Sequence, residues 1–478
     1  MIRDTTAEPD AGLPLPPPPL AAGARRAVIG WSARERPISC LQYGRADAPL
    51  KVLVLAGQHG DERPARRTLQ ALLTLPSDEI EDRLPNLRLA VVPEANPDGC
   101  AVRSRCNADG IDLNRDHQLL QSPEAAAIHR FARSWLPDVI LDLHSYPSRR
   151  RHLLEHNVVL NHDVFLDVVS HPAILARQTV ADADEVLRCL LREIVMHRVR
   201  ADRYTIVKAS GRARHSTADV VDARNGLALR CGAFAILIEN RQLRREETAP
   251  DRLRLRAAQE RALWTVIEWL DGHHDWFKSP DRVEPPAQGT TVPVRFKYRS
   301  NGRRLRLICR DAQEGRPIRV TFSRYAAALE PRRLVPLPAA YAVPREAKAL
   351  TSVLQRHGFV SVDCRPHDLC SVERLRIERA RPSRRPGRPP RKIVLSACRT
   401  KLELDRYEVY PVRQTGGDAL AVYLEPESKH GLHRFPAMQI PLVAPAWYPV
   451  LRVLEGPALR HFLPAPTFAH HQDLRDSS

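Results

Sequence analysis

The sequence predicts an α/β fold, a sheet covered by helices, and three observations carry that prediction. Between Ala27 and about Gly272, apolar strand-like runs alternate with helical patterns, which is how a sheet flanked by helices reads. Four polar clusters, His59-Gly60-Asp61-Glu62, Asp112-Leu113-Asn114-Arg115, Asp142-Leu143-His144 and Ile238-Glu239-Asn240-Arg241, each follow or end a predicted strand. Strand carboxyl ends converge on one edge of a mostly parallel sheet, so clusters distant in sequence meet there. Finally, the chain has 478 residues, enough apolar surface for two domains plus tails.

Residues 1–26, with Pro14 and Pro16 to Pro19, cannot build a core and read as a disordered Pro-rich tail. Val52–Ala56 (VLVLA) is apolar at every position and stops at Gly57, as a buried strand does. Asp61–Leu75 follows as a helix: Asp61 can cap it, Pro64 suits the first turn, and Leu69, Leu72 and Leu73 share a face. Further strands are predicted at Leu87–Val92, Val139–Leu143 and Ala233–Ile238, and a helix starts at the Ser122-Pro123 cap. Pro280, Pro285 and Pro286 close the first domain, 27–280. Val292–Leu307 and Pro317–Phe322 then alternate like strands, so 290–465 is expected to be a smaller β-rich domain, with 466–478 as a tail.

The net charge is +18. Such a balance suits an anionic partner without choosing one. Glu373–Lys401 alone holds eleven Lys or Arg against two Glu, half of the excess. Pro382, Pro386, Pro389 and Pro390 predict that the tract 374–401 is an exposed insertion with no regular ladder. Its RRPGRPPRK core (384–392) resembles a minor-groove hook only weakly, and few aromatics are available for base stacking, so nucleic acid is not the expected partner. Nine cysteines without C-x-x-C spacing argue against a thiolate metal cluster or a disulfide framework. No run of about 18 apolar residues exists to span a membrane and the N-terminus lacks a signal-peptide core, so a soluble, cytoplasmic protein is expected. The sequence does not indicate an oligomeric state.

The four clusters hold the chemistry. Catalytic zinc is bound by three nitrogen or carboxylate ligands and keeps one open position for water, whose pKa falls to about 7; a further carboxylate then takes its proton. Two histidines and a glutamate, with Glu239 ending the apolar run AFAILI, meet those needs. Taken alone, Asp61-Glu62 would read as an acidic pair at a helix start. The joint pattern favours a metal site. The other histidines, among them His117, His129, His152, His156, His162, His171, His197, His273 and His274, lack partners at ligand spacing and are expected mostly at the surface.

Val28-Ile29-Gly30-Trp31-Ser32, Arg36-Pro37-Ile38, GQHGDE (57–62), NPDG (96–99), RCNADGIDLNRD (105–116), DLHS (142–145) and ILIENR (236–241) resemble, in letters, order and spacing, the M14 zinc carboxypeptidases. The resemblance covers about 28–272; PAAYAVP (338–344) and LEPESKHGL (424–432) also resemble the tail of one bacterial subgroup. It implies a mixed, mainly parallel eight-stranded sheet flanked by helices. It also implies one Zn2+ per chain held by His59, Glu62 and His144, with Glu239 as general base. Arg105 would polarise the scissile carbonyl, Asn114 and Arg115 would grip a substrate carboxylate, and Asp112 would orient His59. The family often has a mobile tyrosine about 22 residues before the general base, where this chain reads His215-Ser216-Thr217-Ala218-Asp219. A basic residue projecting inward from among Asp219, Asp222, Arg224 and Arg230 would favour an acidic substrate side chain. The expected function is hydrolysis of a peptide bond next to a free carboxylate. The H-G-D-E block fits an acyl-amino-acid deacylase acting on N-acyl amino acids equally well, and a basic nucleic-acid-binding protein with an incidental hydrolase fold is the alternative from another class.

Overall fold

The computed structural model of the protein describes residues 24–460, apart from 177–182, 209, 216, 245–246, 278–283, 301, 384–389 and 391. Most of the Pro-rich tail, the tail 466–478 and the centre of the Arg/Pro tract therefore lie outside the described residues.

Strands β1 (Arg25–Trp31), β2 (Pro37–Tyr43), β3 (Leu50–Leu55), β4 (Leu87–Val92) and β5 (Val139–Tyr146) come first in the chain. After them come β6 (Val158–Leu160), β7 (Val164–Val168), β8 (Ala201–Arg203), β9 (Thr205–Val207), β10 (Arg212–His215) and β11 (Phe234–Arg241). Eight of them form the main sheet in the order β1-β2-β4-β3-β5-β11-β7-β8. Four neighbouring pairs are parallel and three antiparallel, the mixed eight-stranded sheet expected. The central strands β3, β4, β5 and β11 are apolar through most of their length because both faces are covered. Arg25 and Arg26, expected in the tail, open β1 instead; their backbones pair with Gln42 and Leu41, and an edge strand tolerates charged side chains that face solvent.

Helices α1 (Arg63–Leu73), α2 (Ser77–Arg83), α3 (Pro97–Val102) and α4 (Pro123–Trp135) belong to this half, as does the long helix Ala249–Gly272. Ser122 caps α4 as expected, its hydroxyl accepting from Ala125 N at 3.3 Å. Asp61 does not cap α1. Glu62 occupies that position and makes no side-chain cap, because its carboxylate is engaged elsewhere.

Beyond residue 284 the chain is rich in strands, but these do not stand apart. Leu305–Asp311 pairs with β6, and Arg324–Ala326 lies parallel to β10. One hydrophobic cluster takes in Leu53, Leu141 and Ile236 from the sheet together with Val292, Tyr341, Val353 and Tyr423 from the later part of the chain. The basic tract differs from the expectation. Leu369–Arg381 and Lys392–Glu403 form a long antiparallel hairpin, paired from Leu369 opposite Glu403 to Arg381 opposite Lys392. Prolines bar a ladder only where they stand, and here they fall after the first strand's end and before the second begins. No helix among the described residues is long and apolar enough to cross a membrane.

Candidate active site

The site lies where the carboxyl ends of β3, β5 and β11 meet. After β3 the chain turns through Gly57, at φ +70°, a left-handed conformation that glycine adopts freely. Gly60 then passes so close to α3 that an added Cβ would stand 2.0 Å from the Gly99 carbonyl carbon. Asn96 fixes both segments: its Oδ1 accepts from Gly99 N at 2.8 Å and its Nδ2 donates to Gln58 O at 3.2 Å. His59 and Glu62 are thereby delivered to the edge of the sheet, facing His144 near the end of β5.

The three side chains are buried and converge. His59 Nδ1 lies 2.8 Å from Glu62 Oε1 and His144 Nδ1 lies 3.0 Å from Glu62 Oε2. Donor atoms of His59, Glu62 and His144 all fall within 4.8 Å of one another. The far nitrogens are held too: His59 Nε2 is 2.9 Å from Asp112 Oδ1, and His144 Nε2 is 3.1 Å from Asp142 Oδ1. A carboxylate that accepts the Nε2–H of an imidazole leaves Nδ1 as the free donor nitrogen, the arrangement that ligating histidines show. Two nitrogens and one carboxylate, oriented in this way, fit zinc.

Electrostatics follow from the same contacts. Burial alone would lower the His144 imidazolium, but Asp142 and Glu62 outweigh it and hold the pKa well above its usual value. Burial likewise opposes ionisation of Glu62, yet the two histidines hold its carboxyl below the usual carboxylate range. Glu239 differs. It stands opposite His144 in the β5–β11 register, and burial pushes its carboxyl up to about 7 against the pull of His144. A carboxyl so placed is suited to exchanging protons near neutrality.

Arg105 joins the cluster: its Nε donates to Asp112 Oδ2 at 3.0 Å, and its Nη1 lies 3.7 Å from Glu62 Oε1. Asn114 lies beside His144, Nδ2 3.0 Å from Nε2, while Oδ1 accepts from Ala223 N at 3.1 Å. Arg115 is exposed, with Nη1 donating to the Asn114 carbonyl at 2.5 Å.

Among Asp219, Asp222, Arg224 and Arg230, neither arginine turns its guanidinium into the site. Arg224 pairs with Asp167 at 3.1 Å, and Arg230 donates to the His357 carbonyl at 2.8 Å and stacks on Phe359. Asp222 caps its own turn through Asn225 N, and Asp219 contacts His430.

The sequence reading quoted Asp142 and Gln58 within its motifs but gave neither a role, although Asp142 is two residues before His144 and so shares its strand face. Gln58 Nε2 donates to Asp142 Oδ1 at 2.7 Å, and Gln58 Oε1 lies 2.8 Å from His117 Nε2, whose Nδ1 is 3.1 Å from His129 Nε2. His117, His129, His162 and His171, expected at the surface, are buried; His117 and His129 pack on each other, His162 on Phe165 and His171 on His430.

Comparison with known proteins bears on the same part of the chain. Residues 23–149 match the zinc carboxypeptidase family model, Peptidase_M14. Murein peptide amidase A of Escherichia coli K12 is 42% identical over 81 residues, 16% of this chain and 30% of that protein. Carboxypeptidase SOL1 of Arabidopsis thaliana is 30% identical over 131 residues, 23% and 26% of the two chains. The chain thus spans less than a third of the length of either curated relative. A metallo-carboxypeptidase from Pseudomonas aeruginosa, solved with (2-guanidinoethylmercapto)succinic acid, is 24% identical, with a TM-score of 0.41 over 54% of this chain and 66% of that one.

Proposed function

We propose that the protein is a zinc-dependent hydrolase of amide bonds in peptides that carry a free carboxylate, holding one Zn2+ through His59, Glu62 and His144. The observation that carries this reading is the pair of imidazoles whose Nδ1 atoms converge on Glu62 while Asp112 and Asp142 hold their Nε2 atoms. Zinc, when bound, supplies a Lewis acid that lowers the pKa of water to about 7 and polarises a carbonyl.

The chain's own residues do the rest. Glu239 takes a proton from the attacking water and returns it to the leaving nitrogen. Arg105 sets a cation beside the carbonyl oxygen as negative charge develops there, a contribution typically of about 3 to 4 kcal/mol. Arg115, exposed at the rim, meets a substrate carboxylate with its planar fork, and Asn114 beside it shares that carboxylate.

Carboxypeptidase and peptide amidase are both names found among the relatives. A panel of C-terminal peptides, muropeptides and N-acyl amino acids separates them from deacylation. The first test combines metal analysis with one substitution. About one zinc per chain is expected in the wild type and in Glu239→Gln, with hydrolysis in the variant falling roughly 10²- to 10⁴-fold. Full activity in that variant, or no zinc uptake by the wild type, overturns the reading.

A further inference from the structure

Beside the candidate zinc ligands the site holds a cation that none of the steps above uses. His144, Glu239 and Phe165 form an in-register row across β5, β11 and β7. Side chains in such a row share a face and stand about 5 Å apart. Tyr146, two residues beyond His144 on that face, packs on Phe165 with ring centroids 4.9 Å apart, and Tyr204 closes the wall at 6.1 Å from Phe165.

Arg150 follows β5 and lays its guanidinium against both tyrosines, 5.8 Å from the Tyr146 centroid and 5.5 Å from that of Tyr204. One nitrogen donates to the Tyr204 hydroxyl at 3.2 Å. Among the described residues no carboxylate comes within 4.0 Å of it, although neighbouring guanidiniums are paired: Arg224 with Asp167, Arg241 with Glu247, Arg105 with Asp112. Arg150 is half-buried, and a guanidinium has five N–H donors to offer an anion. Phe165, the residue opposite Glu239 on β7, is the ring that Tyr146 and Tyr204 both flank, so Arg150 stands on the β7 side of Glu239. Glu239 delivers its proton to the leaving nitrogen, so the residue bearing that nitrogen extends to the Glu239 side of the ligands, where Arg150 stands.

We propose that Arg150, steadied by Tyr146 and Tyr204, binds a side-chain carboxylate of the residue released, so that the protein prefers peptides with an acidic residue following the scissile bond. This rests on the amide-hydrolase reading and names its substrate class. Neutral and acidic side chains of equal size isolate the effect.

The test compares kcat/KM of the zinc-loaded full chain on matched N-acyl dipeptides ending in Glu and Gln, for wild type, Arg150→Ala, Arg150→Lys and Tyr204→Phe. A Glu/Gln ratio of about ten or more is expected in the wild type, falling to near one in Arg150→Ala and to an intermediate value in Arg150→Lys and Tyr204→Phe. A wild-type ratio near one, or a ratio unchanged by Arg150→Ala, overturns the proposal. Calorimetric binding of glutarate to the zinc-loaded protein is read in parallel and needs no turnover. If no dipeptide is cleaved, the hydrolase reading fails. Glutarate binding that weakens tenfold or more in Arg150→Ala still supports the carboxylate site, and equal binding by wild type and variant refutes it. Arg150→Lys, which keeps the charge, guards against a misfolded alanine variant.

Discussion

An imidazole presents one nitrogen to a metal only while something fixes the other, and here Asp112 and Asp142 do so for His59 and His144. Asp142 is the more constrained: buried on β5, it also accepts from Gln58, which in turn contacts His117. Asp142→Asn keeps the shape but removes the charge and presents an N–H where an acceptor is needed. Zinc affinity is expected to fall 10- to 100-fold in that variant, read by competition with a chromogenic chelator. An unchanged affinity means that Asp142 does not orient His144. At this scale much was legible, because the motifs are local: His59, Glu62, Asp112, His144 and Glu239 come together as their clusters suggested. The placement of Asn114, with Nδ2 3.0 Å from His144 Nε2 and Oδ1 accepting from Ala223 N, depends on the tertiary approach of the 217–223 segment and was not legible.

Secondary-structure elements set the tolerance of the site to change. The Gly57–Glu62 turn and α3 approach so closely that Gly60 faces the Gly99 backbone, with Gly60 N donating to Ser104 O at 2.9 Å. Gly60→Ala puts a methyl where backbone already stands, and two main chains must part. A loss of about 2 kcal/mol or more is expected by denaturant titration, with weakened zinc uptake because His59 and Glu62 ride on that turn. A variant as stable as the wild type, with normal metal content, contradicts the contact. The strands leading into this turn were legible from continuous apolar runs, with Leu87–Val92 recovered end to end. The hairpin Leu369–Glu403 was not. On its first strand the buried positions are Cys370 and Val372, then Leu375 and Ile377, so the alternation slips by one residue midway, and register shifts interrupt its pairing. A broken period of two, set among arginines, reads as a charged tract.

At the level of the whole molecule, the chain on either side of residue 280 is joined by polar groups as well as by the shared core, a feature that prolines and composition do not reveal. His357, at the end of the helix Lys348–Arg356, donates through Nε2 to the Gln118 carbonyl at 2.9 Å, while its own carbonyl accepts from Arg133 and Arg230. Burial lowers its pKa to about 3, so between there and the ordinary value near 6.5 the unfolded chain binds a proton that the folded one does not. Its contribution is therefore intact above about pH 6.5 and declines as pH falls toward 3, by roughly 2 kcal/mol at pH 5. The thermal midpoint should drop between pH 7.5 and pH 5, and less so in His357→Gln; parallel curves would show that the imidazole is not excluded from protonation. The same junction predicts the outcome of cutting the chain. Removing everything after residue 283 strips β6 of its partner Leu305–Asp311, leaves the Arg133 and Arg230 guanidiniums without the His357 carbonyl, and uncovers the cluster face packed on Val292, Tyr341 and Tyr423. The fragment 24–283 is expected to aggregate or to bind a hydrophobic dye without a cooperative melt, and co-expression with 284–460 should restore both solubility and zinc binding. If instead the fragment alone melts cooperatively at the midpoint of the full chain and takes up zinc, the two halves are independent domains and the strands after residue 284 are dispensable to the site.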